Sequence, residues 1–486
     1  MNLKIRLQLS TMMFLTFFIW GVWYVAMGPY LREALKFTPN QIGWAYNATG
    51  LAAILSPFFV GMIADRFFAT QKILATLHLA GAVLMFFVSR SKSFAVFYPL
   101  LIAYTLCFMP TLALANTLAL KQMTDPGKQF SRVAVLGTIG WIAAGWILGL
   151  FGTRQYSAPV CFQVGAAVSL LMGLYALTLP HTPPQAKGQP ATMRDVLGLD
   201  ALRLLRDPSF AMFVTAAFLF CIPLTLYFGF AAQFLQDFGV PNVVRTMTFG
   251  QVSEIVAMLV MPFFLVWLGV KWVFVVGMAA WALRYLLFYI GYGGGTLWPH
   301  YTGVAIHGVC YVFFFVLAYV YVDKKAPEAI RTKAQGFIAL VTLGLGFFVG
   351  SNVNGLVVQH YSFPNAEPTR YRAVQASQLA VGDVVKWEVN NVPAFGTITT
   401  ITKQGDDLSK ATAAVQVWKR TDGTYAASAE TATVPLSTLA KPMTLWNKVW
   451  GLASAAGAVI MVLFALLFRY KEEPKPAKEE PKPAPA

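Results

Sequence analysis

Residues 246–268, TMTFGQVSEIVAMLVMPFFLVWL, and 272–292, WVFVVGMAAWALRYLLFYIGY, carry between them one acid, Glu254, and one basic side chain, Arg284. Each stretch has the length, about 20 mostly apolar residues, that crosses a hydrocarbon core. A charge at the bilayer centre costs at least ~2.5–3.5 kcal/mol, so a carboxylate and a guanidinium kept there are expected to face a bundle interior and mark a pathway. Glu254 lies about nine residues below the outer end of its run and Arg284 about eight, a depth of ~12–13 Å at 1.5 Å per residue. The pair can therefore meet. Two readings stay open: an ion pair that locks two helices, or a carboxylate that alternates between protonated and ionised as a cavity opens to each side.

Working outward, the rest of the chain repeats the pattern. Its 486 residues are 57% hydrophobic and 12% charged, with a mean hydropathy of +0.59. Further spans are expected near 9–30, 42–63, 73–89, 94–120, 132–152, 158–179, 209–235, 297–322, 334–360 and 445–468. Twelve spans place both termini on one side. With that side cytoplasmic, the inner loops and tail hold 21 Lys and Arg against 6 in the short outer loops, the bias that orients polytopic proteins. The net charge of +16 is spread over many loops without a basic stripe, which points to topology and anionic lipid contact and away from nucleic acid. Met1–Ser10 is a short basic lead to a first run long enough to remain as a span, so no cleaved signal is needed. Cys107, Cys161, Cys221 and Cys310 fall inside spans with no CxxC spacing and read as inert buried thiols.

The organisation is six spans (1–180), a linker (181–208) and six more (209–361 and 443–470). The linker opens with HTPPQAKGQP and turns amphipathic from Met193 to Leu205, as in a helix lying on the cytoplasmic face. Two such halves with a site near the midplane are a recurrent transporter plan. Residues 364–442 break it: VVKWEV, GTITTIT and VQVWKR alternate between turn signals NNVP, KQGDD and TDG, which predicts a small extracytoplasmic all-β insert of four or five strands. A spacer or a docking module for an extracytoplasmic partner is its plain reading. The tail 471–486 is charged, Pro-rich and expected to be disordered.

The segment GMIADRFFATQK, with Gly61, Asp65, Arg66 and Lys72, sits in the first inner hairpin loop. It resembles the loop signature of the major facilitator superfamily, where these residues gate the inner face; Phe68, Ala69 and Thr70 replace a second Gly and further basic residues of the usual form. The segments NLKIRLQLS, FFIWGVWY, MPTLALANT, GTIGW, LGLDAL, SEIVAMLVMPFF and APEAIRTKAQGF are similar to the nucleoside:proton symporter family, over most of both halves but not the insert or tail. The resemblance implies an all-α fold of twelve transmembrane helices in two six-helix bundles, nucleosides and protons as cargo, and no cofactor. It also implies that Thr138, Trp141, Gln251, Glu254, His307 and Tyr311 bind substrate, that Glu254 with Arg284 couples to protons, and that Asn116 and Trp20 or Trp23 serve the first half. A nucleoside needs aromatic faces for its base and fixed polar partners for its edges and hydroxyls. Gln251 and Glu254, three apart, share one helical face.

The chain departs from the family at Ala134, where an Arg is usual, at Val312, where an Asp is usual, and at Thr225, Phe228 and Ala232, which stand at amide positions. Glu254 is then the acid well inside a span and would carry coupling alone. Competing readings are an uncoupled uniporter, a symporter of another polar small molecule, and a non-transporting sensor or scaffold that uses the β insert. No paired carboxylates, metal spacing, Ser/His/Asp set or phosphate loop supports an enzyme.

Overall fold

The computed structural model describes residues 2–59, 68–184, 199–402, 410–421 and 424–470. Nine helices among the described residues are long and apolar enough to cross a membrane. The first half of the chain forms α1 (Leu3–Glu33), α2 (Pro39–Phe59), α3 (Thr70–Arg90), α4 (Phe94–Lys121), α5 (Pro126–Gly149) and α6 (Val160–Ala176). The second forms α7 (Pro208–Asp237), α8 (Val243–Gly293), α9 (Trp298–Lys325), α10 (Lys333–His360) and α11 (Trp446–Leu467). Local chemistry sets the starts. Asn2 caps α1 by accepting from Lys4 N at 3.0 Å, and Asp207 caps α7 by accepting from Ser209 N at 2.8 Å, with Pro208 as the first helical residue.

The stretches 246–268 and 272–292 are joined without a loop. They are two arms of the 51-residue α8, redirected at Gly269, whose φ of 73° is a conformation that a side chain would strain. Close packing of α1 on α5 depends on small residues: a Cβ at Gly140 would stand 2.2 Å from the Phe14 carbonyl oxygen. In the same way α2 lies on α10, α3 on α6, and α8 on α11.

The described residues between 371 and 442 form a six-stranded antiparallel sheet: β1 (Tyr371–Ala373), β2 (Val384–Val389), β3 (Val392–Thr402), β4 (Thr412–Thr421), β5 (Thr424–Pro435) and β6 (Ala440–Pro442), in the order β1-β6-β2-β3-β4-β5. The hairpin β2–β3 closes through Asn390 and Asn391, with φ of 52° and 65°, the geometry of a tight two-residue turn. Val385, Trp387, Ile398, Val415 and Leu436 make a separate small core. The count exceeds the expected four or five strands because β1 and β6 are three residues each, too short to show alternation. The sheet stands at one end of the helical body, beside the end of α1, the end of α7 and the start of α11.

At the opposite end, Thr182 and His181 bind Gln71 of α3, and Lys333 at the start of α10 meets Asp200 at 2.6 Å in a 3-10 segment, Leu199–Arg206. The remainder of the expected amphipathic linker helix, residues 193–198, lies outside the described residues, as do Gly61, Asp65, Arg66 and the tail. Lys72 is in the first turn of α3.

Candidate functional site

A cavity of about 240 Å³ opens among α1, α5, α7, the first arm of α8, α9 and α10. On α1 the spacing Phe17, Trp20, Tyr24 puts three rings on one face, and on α5 Thr138 and Trp141 face them. The rings form a wall: Trp20 meets Trp141 edge-on at 5.5 Å, Tyr24 lies 5.8 Å from Trp20, and Phe228 of α7 lies 5.7 Å from Tyr24. Such tilted and edge-to-face pairs hold each ring in one orientation. Opposite them, α8 contributes Gln251, Glu254 and Met258, and α9 contributes Tyr311 and Phe315.

Five of the six expected binding residues, Thr138, Trp141, Gln251, Glu254 and Tyr311, therefore line one cavity. His307 stands directly behind, with Nε2 2.8 Å from Glu254 Oε1 and its ring stacked on Tyr311 at 5.9 Å. It is a close polar contact and not a hydrogen bond, since neither ring nitrogen of His307 has a hydrogen-bond partner among the described residues. Glu254 retains 13% side-chain exposure at the cavity wall, whereas His307 has none. Two small residues allow this approach: a Cβ at Gly250 would meet the His307 side chain at 3.0–3.3 Å, and one at Gly308 would meet Ser253 backbone at 2.1 Å. Gly308 N donates to Ser253 Oγ at 2.7 Å across the same crossing.

Arg284 does not pair with Glu254 as expected. It is fully buried on the second arm of α8, its guanidinium 4.2 Å from the Tyr227 ring centre and 4.7 Å from that of Trp281. None of its three side-chain nitrogens has a hydrogen-bond partner among the described residues. Tyr227 in turn stacks on His307 at 5.1 Å, so the order is Arg284, Tyr227, His307, Glu254. Sequence distance gave the two charges a common depth, but the turn at Gly269 and the packing of α7 decide the direction in which each points.

Of the weaker expectations, Trp20 lines the cavity, Trp23 is packed against Tyr104 at 5.7 Å, and Asn116 is exposed. Thr225 donates to the Cys221 carbonyl at 2.9 Å and accepts from Asn354, which commits it to helix packing, whereas Phe228 joins the aromatic wall. Sequence reasoning passed over Phe17, Tyr24, Met258, Tyr319 and Thr342, all of which line the cavity. The three-and-four spacing of Phe17, Trp20 and Tyr24 was the available signal for α1. For Tyr319 and Thr342 there was none, because Tyr319 follows one π-helical turn, Val312–Val316, and Thr342 lies inside another, Leu340–Gly346, each of which rotates the helix by an extra residue. Among the described residues no group of three His, Cys, Asp or Glu could hold a metal ion.

A cavity enclosed by six apolar helices, walled by aromatic rings and holding one ionisable acid, defines a polytopic membrane transporter of the major facilitator type. The chain belongs to the Nucleoside H+ symporter family, whose profile matches residues 1–379. It is 43% identical over 368 residues to the provisionally assigned nucleoside transporter YegT of Escherichia coli K12, covering 74% of this chain and 85% of that protein. It is 32% identical over 381 residues to nucleoside permease NupG of the same strain, covering 74% and 89%. The crystal structure of nucleoside transporter NupG superposes with a TM-score of 0.72 at 26% identity, over 97% of this chain and 100% of that one. The transporter PepTSo, at 12% identity and a TM-score of 0.62, shares the fold alone. The family is one of transporters, not enzymes.

Proposed function

We propose that this chain imports nucleosides across a bacterial inner membrane by proton symport with alternating access. Counting the arms of α8 separately, helices α1–α11 supply twelve spans, in halves formed by residues 1–180 and by 209–361 with 443–470. Both termini are then cytoplasmic, and the sheet is an extracytoplasmic insert. The observation that carries the reading is Glu254, set at the wall of an aromatic-lined central cavity with His307 behind it at 2.8 Å. Trp20, Tyr24, Trp141 and Phe228 offer faces for a base, a contact worth ~1–3 kcal/mol per stacked base. Thr138, Gln251 and Tyr311 offer fixed polar partners, and His307 packs against the carboxylate from behind. Glu254 takes a proton when the cavity is open to the outside and releases it inside, with Arg284 as the buried cation that keeps the ionised form accessible. Gly61, Asp65, Arg66 and Lys72 act at the inner gate.

The test is uptake of labelled nucleoside into proteoliposomes with and without an imposed proton gradient. A gradient should stimulate saturable uptake, and Glu254→Gln should remove the stimulation while leaving nucleoside binding measurable. Equal uptake with the gradient collapsed would make the protein a uniporter. Absence of saturable uptake or binding for every nucleoside would overturn the substrate assignment.

A further inference from the structure

Seven charged side chains meet where the end of α1 touches the sheet. From the first half come Arg32, Glu33 and, in the turn after α1, Lys36; from the second come Asp237 at the end of α7, Arg372 of β1, Asp383 just before β2 and Lys441 of β6. Four ion pairs cross the seam: Arg32 to Asp237 at 3.0 Å, Glu33 to Arg372 at 2.8 Å, Glu33 to Lys441 at 2.9 Å, and Lys36 to Asp383. Asp237 also accepts from Trp446 Nε1 at 2.8 Å. The side chains of Asp237 and Asp383 are 6% and 4% exposed, so these contacts are largely shielded from solvent screening. The profile match ends at residue 379, before β2–β6, so most of the sheet that supplies the second-half charges lies outside the matched region.

The arrangement divides without stranding a carboxylate. If α1 draws away from the sheet, Glu33 keeps Arg32 at 3.1 Å, Asp383 keeps Lys441 at 2.9 Å, and Asp237 keeps Arg372 at 3.9 Å. A permanently welded interface does not need such redundancy. For a seam that opens and closes it removes the largest cost, which is a buried charge left without a partner. Beside the network a hollow of about 690 Å³, bordered by Tyr156, Asn242 and Arg372, already lies on this side of the protein.

We propose that the β insert is the latch of the outer gate: it grips the outer end of α1 through this divisible charge network and so sets the balance between the outward-closed and outward-open forms. The proposal rests on the alternating-access reading but not on the identity of the cargo. Glu33→Arg places a cation against Arg372 and Lys441 and repels the sheet; the triple variant Glu33→Arg with Arg372→Gln and Lys441→Gln removes that repulsion while leaving Asp237 its pair with Arg32 and Asp383 its pair with Lys36. Spin labels at Lys92→Cys and Thr296→Cys, both exposed at this end of the molecule, report the separation by pulsed electron resonance on the full chain in nanodiscs without nucleoside, with Cys107→Ser removing the half-buried native thiol. Glu33→Arg should raise the ratio of long to short distances by roughly fivefold or more, and the triple variant should return it towards wild type. Lys36→Gln, a milder change that deletes one cross-seam pair, should shift the ratio in the same direction by less, and answers the question if Glu33→Arg fails to fold. Unchanged distances in both single variants, or a shift that the triple variant does not reverse, would overturn the latch. A reversible shift in a protein that takes up no nucleoside would leave the latch standing and sink the cargo assignment alone.

Discussion

Replacing Gly308 by alanine puts a methyl group into the main chain of a neighbouring helix. The new Cβ would stand 2.1 Å from Ser253 O, 2.3 Å from Ser253 C and 2.6 Å from Glu254 N. All three are backbone atoms that cannot rotate aside, and ordinary contact needs ~3.5 Å, so α9 has to retreat from α8 by roughly 1 Å. Overpacking of this kind costs about 1–3 kcal/mol, and loss of the Gly308 N to Ser253 Oγ hydrogen bond about 1 kcal/mol more. The total expected is ~2–4 kcal/mol of stability. The same retreat separates His307 from Glu254 and shifts Tyr311 at the cavity wall, and a misplacement of ~1 Å is worth about a hundredfold where geometry sets a rate. Thermal unfolding followed by size exclusion, together with initial rates of nucleoside uptake, measures both. Gly336→Ala is the control: its Cβ meets nothing within 4 Å, so it should be neutral or stabilise by up to ~1 kcal/mol. A Gly308→Ala protein that melts and transports like wild type would refute the argument that this close crossing builds the site.

Arg284→Lys keeps the charge but exchanges a planar, weakly hydrated cation lying 4.2 Å from Tyr227 and 4.7 Å from Trp281 for a compact, strongly hydrated one. A desolvated cation–π contact is worth about 2 kcal/mol, so the variant should lose about that much stability and melt at a lower temperature; an unchanged melting temperature would show that the stacking contributes nothing. At the other end of the protein, the hydrogen bond from Lys325 holds the Asp207 carboxyl below its ordinary value of 3.8, with the backbone N–H groups of Ser209 and Phe210 assisting. A lowered folded-state value means stability that is present above the ordinary value and lost as pH falls through the folded one. Wild type should therefore exceed Lys325→Met in melting temperature at neutral pH and converge with it below about pH 4. The gap should be small, since the pair is about one-third exposed. A gap that persisted at low pH would show that the tie does not depend on the Asp207 charge.

Much of the architecture was legible along the chain because a bilayer imposes a length on every apolar run and a cost on every charge inside it. Hence Glu254 and Arg284 stood out, and Thr138, Trp141, Gln251 and Tyr311 were identified by family resemblance before their cavity was seen. Helical period also grouped Gln251 with Glu254, and would have grouped Phe17, Trp20 and Tyr24. Alternation announced β2, β3 and β4, but the three-residue β1 and β6 had no pattern to read.

Composition and periodicity, then, determined that this is a multi-span membrane protein with an acid at depth and a β insert near its end, since those properties depend on the chain's own local chemistry. Which groups meet was decided only in three dimensions. Glu254 found His307, not Arg284, because Gly250 and Gly308 let α8 and α9 close on each other, while Arg284 on the second arm of α8 lies against Tyr227 and Trp281. Glu33 and Lys441, 408 residues apart, share an ion pair that no local pattern encodes. Depth in a membrane is counted along a helix, whereas direction around its axis is set by whatever packs against it.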